Sequence, residues 1–194
     1  MYKNGEKLIR FCQRKRGENY VATHEYTIPS SILKGDIDCA KHVQNLFNHM
    51  RHAFVLGVPE REKSSSTLGV TEGLEFEPHE SEIIELCAAA QWAGKGKEQH
   101  PIVQNYFWYN DALTIGLEVP VWNDEVNGFI DILRVHPDGR IEIADFKPKA
   151  AKEKKAASQV ARYKEMLCKN ADISPEKVFC TWFDAQDGFI LLDA

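Results

Sequence analysis

The apolar positions of the chain change period near residue 113. Upstream of that point they recur at helical spacing. In "DIDCAKHVQNLFNHMRHAFVLG", residues 36–57, Val43, Leu46, Phe47, Met50 and Phe54 fall on one face, with Asp36 or Asp38 as the cap. "EPHESEIIELCAAAQWAG", residues 77–94, predicts a second helix ended by Gly94. "HPIVQNYFWYND", residues 100–111, predicts a short third one, with Pro101 suited to its first turn. The stretches "PEREKSSSTLGVTEG", residues 59–73, and "KGKEQ", residues 95–99, are polar and read as loops. Residues 1–36 are mixed, with a short strand predicted from Tyr20 to Thr27.

Downstream the pattern is that of strands. "LTIGLEVPVW", residues 113–122, predicts one strand, and "NGFIDILRVHPDGRIEIADFKPK", residues 127–149, predicts two more joined by a tight turn. Residues 149–170 predict a long helix whose buried stripe is Val160, Tyr163, Met166 and Leu167. "KVFCTWFDAQDGFILLD" predicts a closing hairpin turned at Gln186-Asp187-Gly188. The order is helices, three strands, helix, two strands, which is an α/β core with a mixed sheet and a largely helical N-terminal part.

The second hairpin poses a chemical question: its apolar strands carry Asp131, Asp145 and Lys147. Its turn, His136-Pro137-Asp138-Gly139-Arg140, has Pro and Asp at the corners of a type I turn and Gly at the left-handed position that follows. That is the three-residue loop with a glycine bulge. If His136 and Arg140 close it, Asp131 lies opposite Asp145, and directly opposed residues share a face with Cβ atoms about 4.5–5.5 Å apart. Lys147, two residues on, shares that face. Two carboxylates that close repel, and strands are poor places for Asp. Either one of them is protonated or both ligate a cation, for which oxygen ligands suggest Mg²⁺ or Mn²⁺.

Composition sets outer bounds. The chain has 194 residues, 43% hydrophobic and 27% charged, as expected of a globular protein with a buried core. No apolar run approaches a membrane span, and "MYKNGEKLIRFCQRKRG" has no apolar core of a secretory signal. The five cysteines are scattered without a CxxC pair, which suggests reduced thiols in a soluble, cytoplasmic protein. A net charge of −5 argues against a whole surface that coats nucleic acid, and leaves a local basic groove open.

Taken in order, Glu118 in "LEVPVW", Gly128 and Asp131 in "GFID", Asp145 and Lys147 in "DFK", and Gln159 and Tyr163 in "QVARY" resemble the PD-(D/E)XK nuclease superfamily, within it the RecB-like exonuclease branch. The resemblance covers roughly residues 98–194. It implies a restriction-endonuclease-like core, with residues 96–194 as the nuclease and residues 1–95 as a mainly helical region for which DNA guiding is one role. It implies a deoxyribonuclease dependent on Mg²⁺ or Mn²⁺, an exonuclease of phage or viral DNA processing, recombination or repair. The alternative is a noncatalytic DNA-binding or assembly module that kept the fold, disfavoured because every chemical residue is present.

The resemblance also implies roles. Asp131, Asp145 and the Phe146 main-chain carbonyl would hold the metal, and a histidine from a preceding helix would complete the set. His100 and His79 are the candidates, with His100 nearer the first strand. Lys147 would orient the attacking water and stabilise charge on the phosphorus, Glu118 would join the active site, and Gln159 and Tyr163 would help place the scissile phosphate. These last two are four apart on one helical face and would point toward the site if Ser158 faced solvent. Lys149, Lys152, Lys154 and Lys155 follow the catalytic strand and read either as a solvated face or as contacts to the phosphate backbone of single- or double-stranded DNA. Tyr106, Phe107, Trp108 and Tyr109 read as core or as platforms for bases. Iron–sulfur members of the branch use a close C-terminal cysteine trio, whereas Cys168 and Cys180 stand twelve apart, so no cluster is expected. Homo-oligomers and protein partners in a DNA-processing complex stay open.

Overall fold

A computed structural model describes residues 11–12, 15–16, 19–20, 37–56, 63–64, 68–95 and 99–192, with side chains described for 41–53, 63–64, 68–95 and 99–192. The chain is an α/β structure with a mixed, open sheet flanked by helices. Its main strands are β1 (Phe76–Pro78), β2 (Thr114–Trp122), β3 (Val126–Val135), β4 (Ile141–Phe146), β5 (Val178–Phe183) and β6 (Gly188–Leu191). Its helices are α1 (Ile37–Leu56), α2 (Glu82–Ala93), α3 (His100–Asn110) and α4 (Ala156–Ala171). The sheet order is β2-β3-β4-β5-β6-β1, with Phe11–Cys12 parallel to β2 at the other edge and Lys63–Ser64 parallel to the start of β3. Only β4 and β5 among the main strands run parallel, and α4 makes the crossover between them.

The central hairpin forms in the register its turn dictates. The His136 N–H donates to the Arg140 carbonyl at 2.9 Å, and the Gly139 N–H donates to the His136 carbonyl at 2.8 Å. Gly139 takes φ +85°, a conformation that favours glycine. Asp138 Oδ1 accepts the Arg140 N–H at 3.0 Å and so caps the turn. Ile132 then faces Ala144, Leu133 faces Ile143 and Arg134 faces Glu142. The β2–β3 turn is closed by Asn123, whose Oδ1 accepts the N–H groups of Glu125 and Val126, each at 2.9 Å.

Two hydrophobic clusters cover the sheet. Val43, Leu46, Phe47 and Met50 of α1 and Val160, Met166 and Leu167 of α4 pack with Ile130, Leu133, Ile143 and Cys180. Ile83, Cys87 and Ala90 of α2 and Val103 and Phe107 of α3 pack with Leu117, Ile132, Ala144, Phe146 and Phe183. A buried aliphatic or aromatic side chain contributes about 1.5–3 kcal/mol relative to an exposed one, so this apolar skeleton can tolerate a few costly polar insertions.

Three local expectations are corrected. Phe76–Pro78 is a strand rather than the lead-in to a helix, because Phe76, Glu77 and Pro78 pair with Leu191, Ile190 and Phe189 at the sheet edge; α2 begins at Glu82. The long helix begins at Ala156, not near 149. Lys149 is left-handed at φ +66°, residues 150–152 form a single 3-10 turn, and the Ala150 N–H is taken by Asp184 Oδ2 at 2.8 Å. Gly188 pairs with Phe183 as the first residue of β6, so the closing turn spans 184–187, built on Asp184 Oδ1 accepting the N–H groups of Gln186 and Asp187. The strand expected from Tyr20 to Thr27 lies outside the described residues save for Tyr20, which pairs with Lys15 in a separate two-stranded ribbon. Asp38 lies inside α1 rather than capping it, while Asp36, the side chains of Asp38 and Phe54, and residues 59–62, 65–67 and 96–98 of the two loops lie outside the described residues.

Candidate active site

The C-terminal end of β4 is where the polar residues meet. Asp145 is 1% exposed and Asp131 8%. The Phe146 N–H donates to Asp131 Oδ2 at 3.0 Å, which ties β3 to β4 one residue beyond the regular ladder. Lys147 leaves the strand at this point, its N–H donating to the Phe183 carbonyl at 2.9 Å, and its Nζ stands 2.6 Å from Asp145 Oδ2. That buried oxygen receives the ammonium as an ion pair without a hydrogen bond of good geometry.

The electrostatics follow from this crowding. Burial pushes the Asp131 carboxyl well above the usual aspartate range, the Asp145 charge pushes it further, and Lys147 only partly offsets them. For Lys147, burial disfavours the ammonium, but the charges of Asp145 and Asp131 outweigh burial and raise its pKa. Lys147 is therefore a fixed cation at neutral pH. Burial and the neighbouring Asp145 charge thus both disfavour the ionised form of Asp131.

Two further elements deliver groups to the same place. Pro101 sets the first turn of α3, which begins at His100. His100 Nε2 reaches 3.4 Å from Asp131 Oδ2, and its ring meets Phe146 edge to face with centroids 5.0 Å apart. Burial and the Lys147 charge lower its pKa, so it is neutral and able to act as a ligand. His79 instead sits at the far edge, its N–H donating to the Gly188 carbonyl at 2.8 Å. Glu118 arrives from β2 with φ +50°, a left-handed residue inside a strand. At that point β2 changes sides: Leu117 belongs to the α2–α3 cluster and Val119 to the α1–α4 cluster. Such a conformation costs on the order of 1–3 kcal/mol and persists where surrounding structure enforces it. Burial raises the pKa of Glu118, a hydrogen bond from Gln104 lowers it, and the Asp145 charge raises it.

On α4, Gln159 Nε2 donates to the Tyr163 hydroxyl at 2.6 Å. The Tyr163 ring is in the core at 3% exposure, and its oxygen is close enough to Lys147 to affect that ammonium. Ser158 does not face solvent. It is 1% exposed, and its Oγ accepts the Thr71 N–H at 2.8 Å, so residues 68–74 lie across this helix. Lys149, Lys152, Lys154 and Lys155 are exposed beside the site, and none of them pairs with a carboxylate among the described residues. Of the aromatic run, Phe107 and Trp108 are buried, Tyr106 is half-buried and Tyr109 is exposed.

Sequence reasoning missed Gln104 and Asp184. Gln104 is buried and donates to Glu118 Oε1 at 2.5 Å. Its signal was its place one turn after His100, on the same face. Asp184 holds the segment that follows Lys147 through Ala150, and nothing in its local sequence marks that contact. Among the described residues, no three His, Cys, Asp or Glu side chains close round a single point. No family model, curated protein or solved structure matches the chain.

Proposed function

We propose that this chain is a divalent-metal-dependent deoxyribonuclease with a restriction-endonuclease-like core, similar to the RecB-like branch of the PD-(D/E)XK superfamily. The observation that carries the reading is the buried Asp131–Asp145 pair with Lys147 2.6 Å from Asp145, at the end of an internal strand. Two buried carboxylates beside one ammonium are costly, and groups perturbed in this way concentrate at functional sites.

The donor set fits a small hard cation. Asp145 Oδ2 is buried and lacks a directional hydrogen bond, while Asp131 keeps an oxygen beyond the one bound to Phe146. Two carboxylates with the Phe146 carbonyl and His100 beside them suit an ion that retains several of its own waters, as Mg²⁺ does, and need no cluster of three side chains. When bound, such an ion supplies Lewis acidity and a water of lowered pKa. The protein's own groups do the rest. Lys147, held charged by its aspartates, stabilises negative charge on the phosphoryl oxygens rather than accepting a proton. Gln159 and Tyr163 orient the phosphate, and Lys149, Lys152, Lys154 and Lys155 hold the flanking backbone without reading bases. Exonucleolytic action in DNA processing, recombination or repair is the finer form of the proposal.

The test is incubation of the purified protein with end-labelled linear and circular DNA, single- and double-stranded, in Mg²⁺, Mn²⁺ and EDTA. Cleavage with either metal and none in EDTA is expected, with circles resisting if the enzyme needs an end. Intact DNA under all conditions, together with tight binding, would favour the noncatalytic module.

A further inference from the structure

We propose that Gln104 is a positioning residue of this site: its amide holds the Glu118 carboxylate turned toward the Asp131–Asp145 pair, so that Glu118 adds to the binding of a divalent cation there. The inference rests on the metal-dependent reading above and extends it to a side chain that touches neither phosphate nor cation.

Four observations carry it. Gln104 is 8% exposed, and burying an amide costs about 1–3 kcal/mol unless it is hydrogen-bonded, so its place on α3 needs a partner. The partner is Glu118 Oε1 at 2.5 Å. Gln104 lies one helical turn from His100, whose Nε2 approaches Asp131, so a single face of α3 addresses both β2 and β3 at the site. Glu118 has φ +50°, which turns its side chain out of the strand's alternation and leaves a flexible carboxylate in need of a tether.

The choice of tether is informative. Arginine or lysine would hold Glu118 more strongly but would cancel its charge. A neutral amide fixes the carboxylate and leaves its charge in place, so Glu118 adds to the negative field at Asp131 and Asp145, beside which Lys147 supplies one ammonium. That excess of negative charge is what a divalent cation would neutralise.

The experiment measures Mn²⁺ affinity calorimetrically, without DNA, for the wild type, Gln104→Met, Glu118→Gln and the double variant. Removing an outer partner of a metal site costs about 10–100-fold in affinity, so each single variant should weaken Mn²⁺ binding within that range. The double variant should bind no more weakly than Glu118→Gln, because Gln104 acts only through Glu118. Gln104→Met with wild-type affinity, or losses that multiply in the double variant, would overturn the inference while leaving the metal reading intact. A wild type that binds no Mn²⁺ would overturn the metal reading, and the inference with it. If Gln104→Met does not fold, Gln104→Asn, which withdraws the amide by one methylene, is read by the same criteria.

Discussion

The hairpin β3–β4 carries two buried clusters of carboxylates around a cation, and they differ in how far their charges are satisfied. Arg134 lies opposite Glu142, three residues along each strand from Asp131 and Asp145, so alternation sends the two clusters to opposite faces. Around Arg134, which is 1% exposed, Nε donates to Asp111 Oδ2 at 2.8 Å, Nη1 to Glu142 Oε2 at 2.6 Å and Nη2 to Glu82 Oε1 at 2.5 Å. Glu142 and Asp111 are engaged further: Thr181 donates to Glu142 Oε1, Thr114 to Asp111 Oδ2, and the Leu113 N–H to Asp111 Oδ1. Burial works against the charge on Arg134, but the hydrogen bonds and charges of Asp111, Glu142 and Glu82 raise its pKa above the ordinary value. Glu142 is likewise held low against its burial by His136, Arg134 and Thr181. The Asp131–Asp145 cluster is the opposite case, with Asp131 raised and Asp145 Oδ2 short of a hydrogen bond. A closed network of this kind ties α2, α3, β3, β4 and β5 together; an open one stores unfavourable electrostatics that a ligand can relieve.

The sharpest way to break the comparison is Arg134→Met. It strands Asp111 and Glu142 in the interior, and removing one partner of a buried network costs about 3–5 kcal/mol. Urea unfolding should show that loss, with metal affinity of the folded fraction unchanged; a loss below about 1 kcal/mol would mean that the network is not structural.

The open cluster should respond in the other way. Asp145→Ala and Lys147→Ala should lower the cleavage rate by about 10²–10³-fold, the scale of losing one group that stabilises transition-state charge. Asp145→Ala, which removes one of two repelling carboxylates, should melt near the wild type, whereas Lys147→Ala leaves both aspartates buried without their ammonium and should melt lower. Near-wild-type cleavage by both would mean that the chemistry lies elsewhere.

Asp131→Asn sharpens the contrast through pH. A carboxyl raised in the folded state favours folding in acid, and that contribution is lost as the pH rises from the ordinary aspartate value through the raised one. At neutral pH the wild-type apo protein therefore carries a penalty that Asn lacks. The variant should be more stable there by about 1.4 kcal/mol for each pKa unit of the shift, and the gain should vanish in acid below the ordinary aspartate range. Stability curves for the two proteins from pH 3 to 8 that run parallel would contradict this.

The smallest expected effect concerns the exposed lysines. Replacing Lys152, Lys154 and Lys155 by Gln should flatten the salt dependence of DNA binding by up to about one unit of slope per lost contact, for all sequences alike. The measurement is affinity across a salt series in Ca²⁺. An unchanged slope would make these residues a solvated face only.

The sequence by itself determined the local matters. The Pro-Asp-Gly turn specified its own register, because its backbone conformation allows one closure, and with it the pairing that brings Asp131 and Asp145 to one face. The same register holds Arg134 opposite Glu142, a pairing legible in "DILRV" and "IEIADF" that the apolar pattern obscured. The helical periods likewise located α1, α3 and most of α4, since each buries a stripe that repeats every turn. What only the tertiary structure decided involves contacts far apart in sequence. Phe76–Pro78 is a strand because β6 is there to pair with it. Residues 150–155 leave the helix because Asp184 takes the Ala150 N–H. Gln104 and His100 address the site because α3 packs across the ends of β2 and β3, a placement set by burial of Val103 and Phe107 against the sheet. Hydrophobic burial is non-directional, so no local pattern says which strand a helix face will meet, and the polar neighbours of that face are settled only when the core closes.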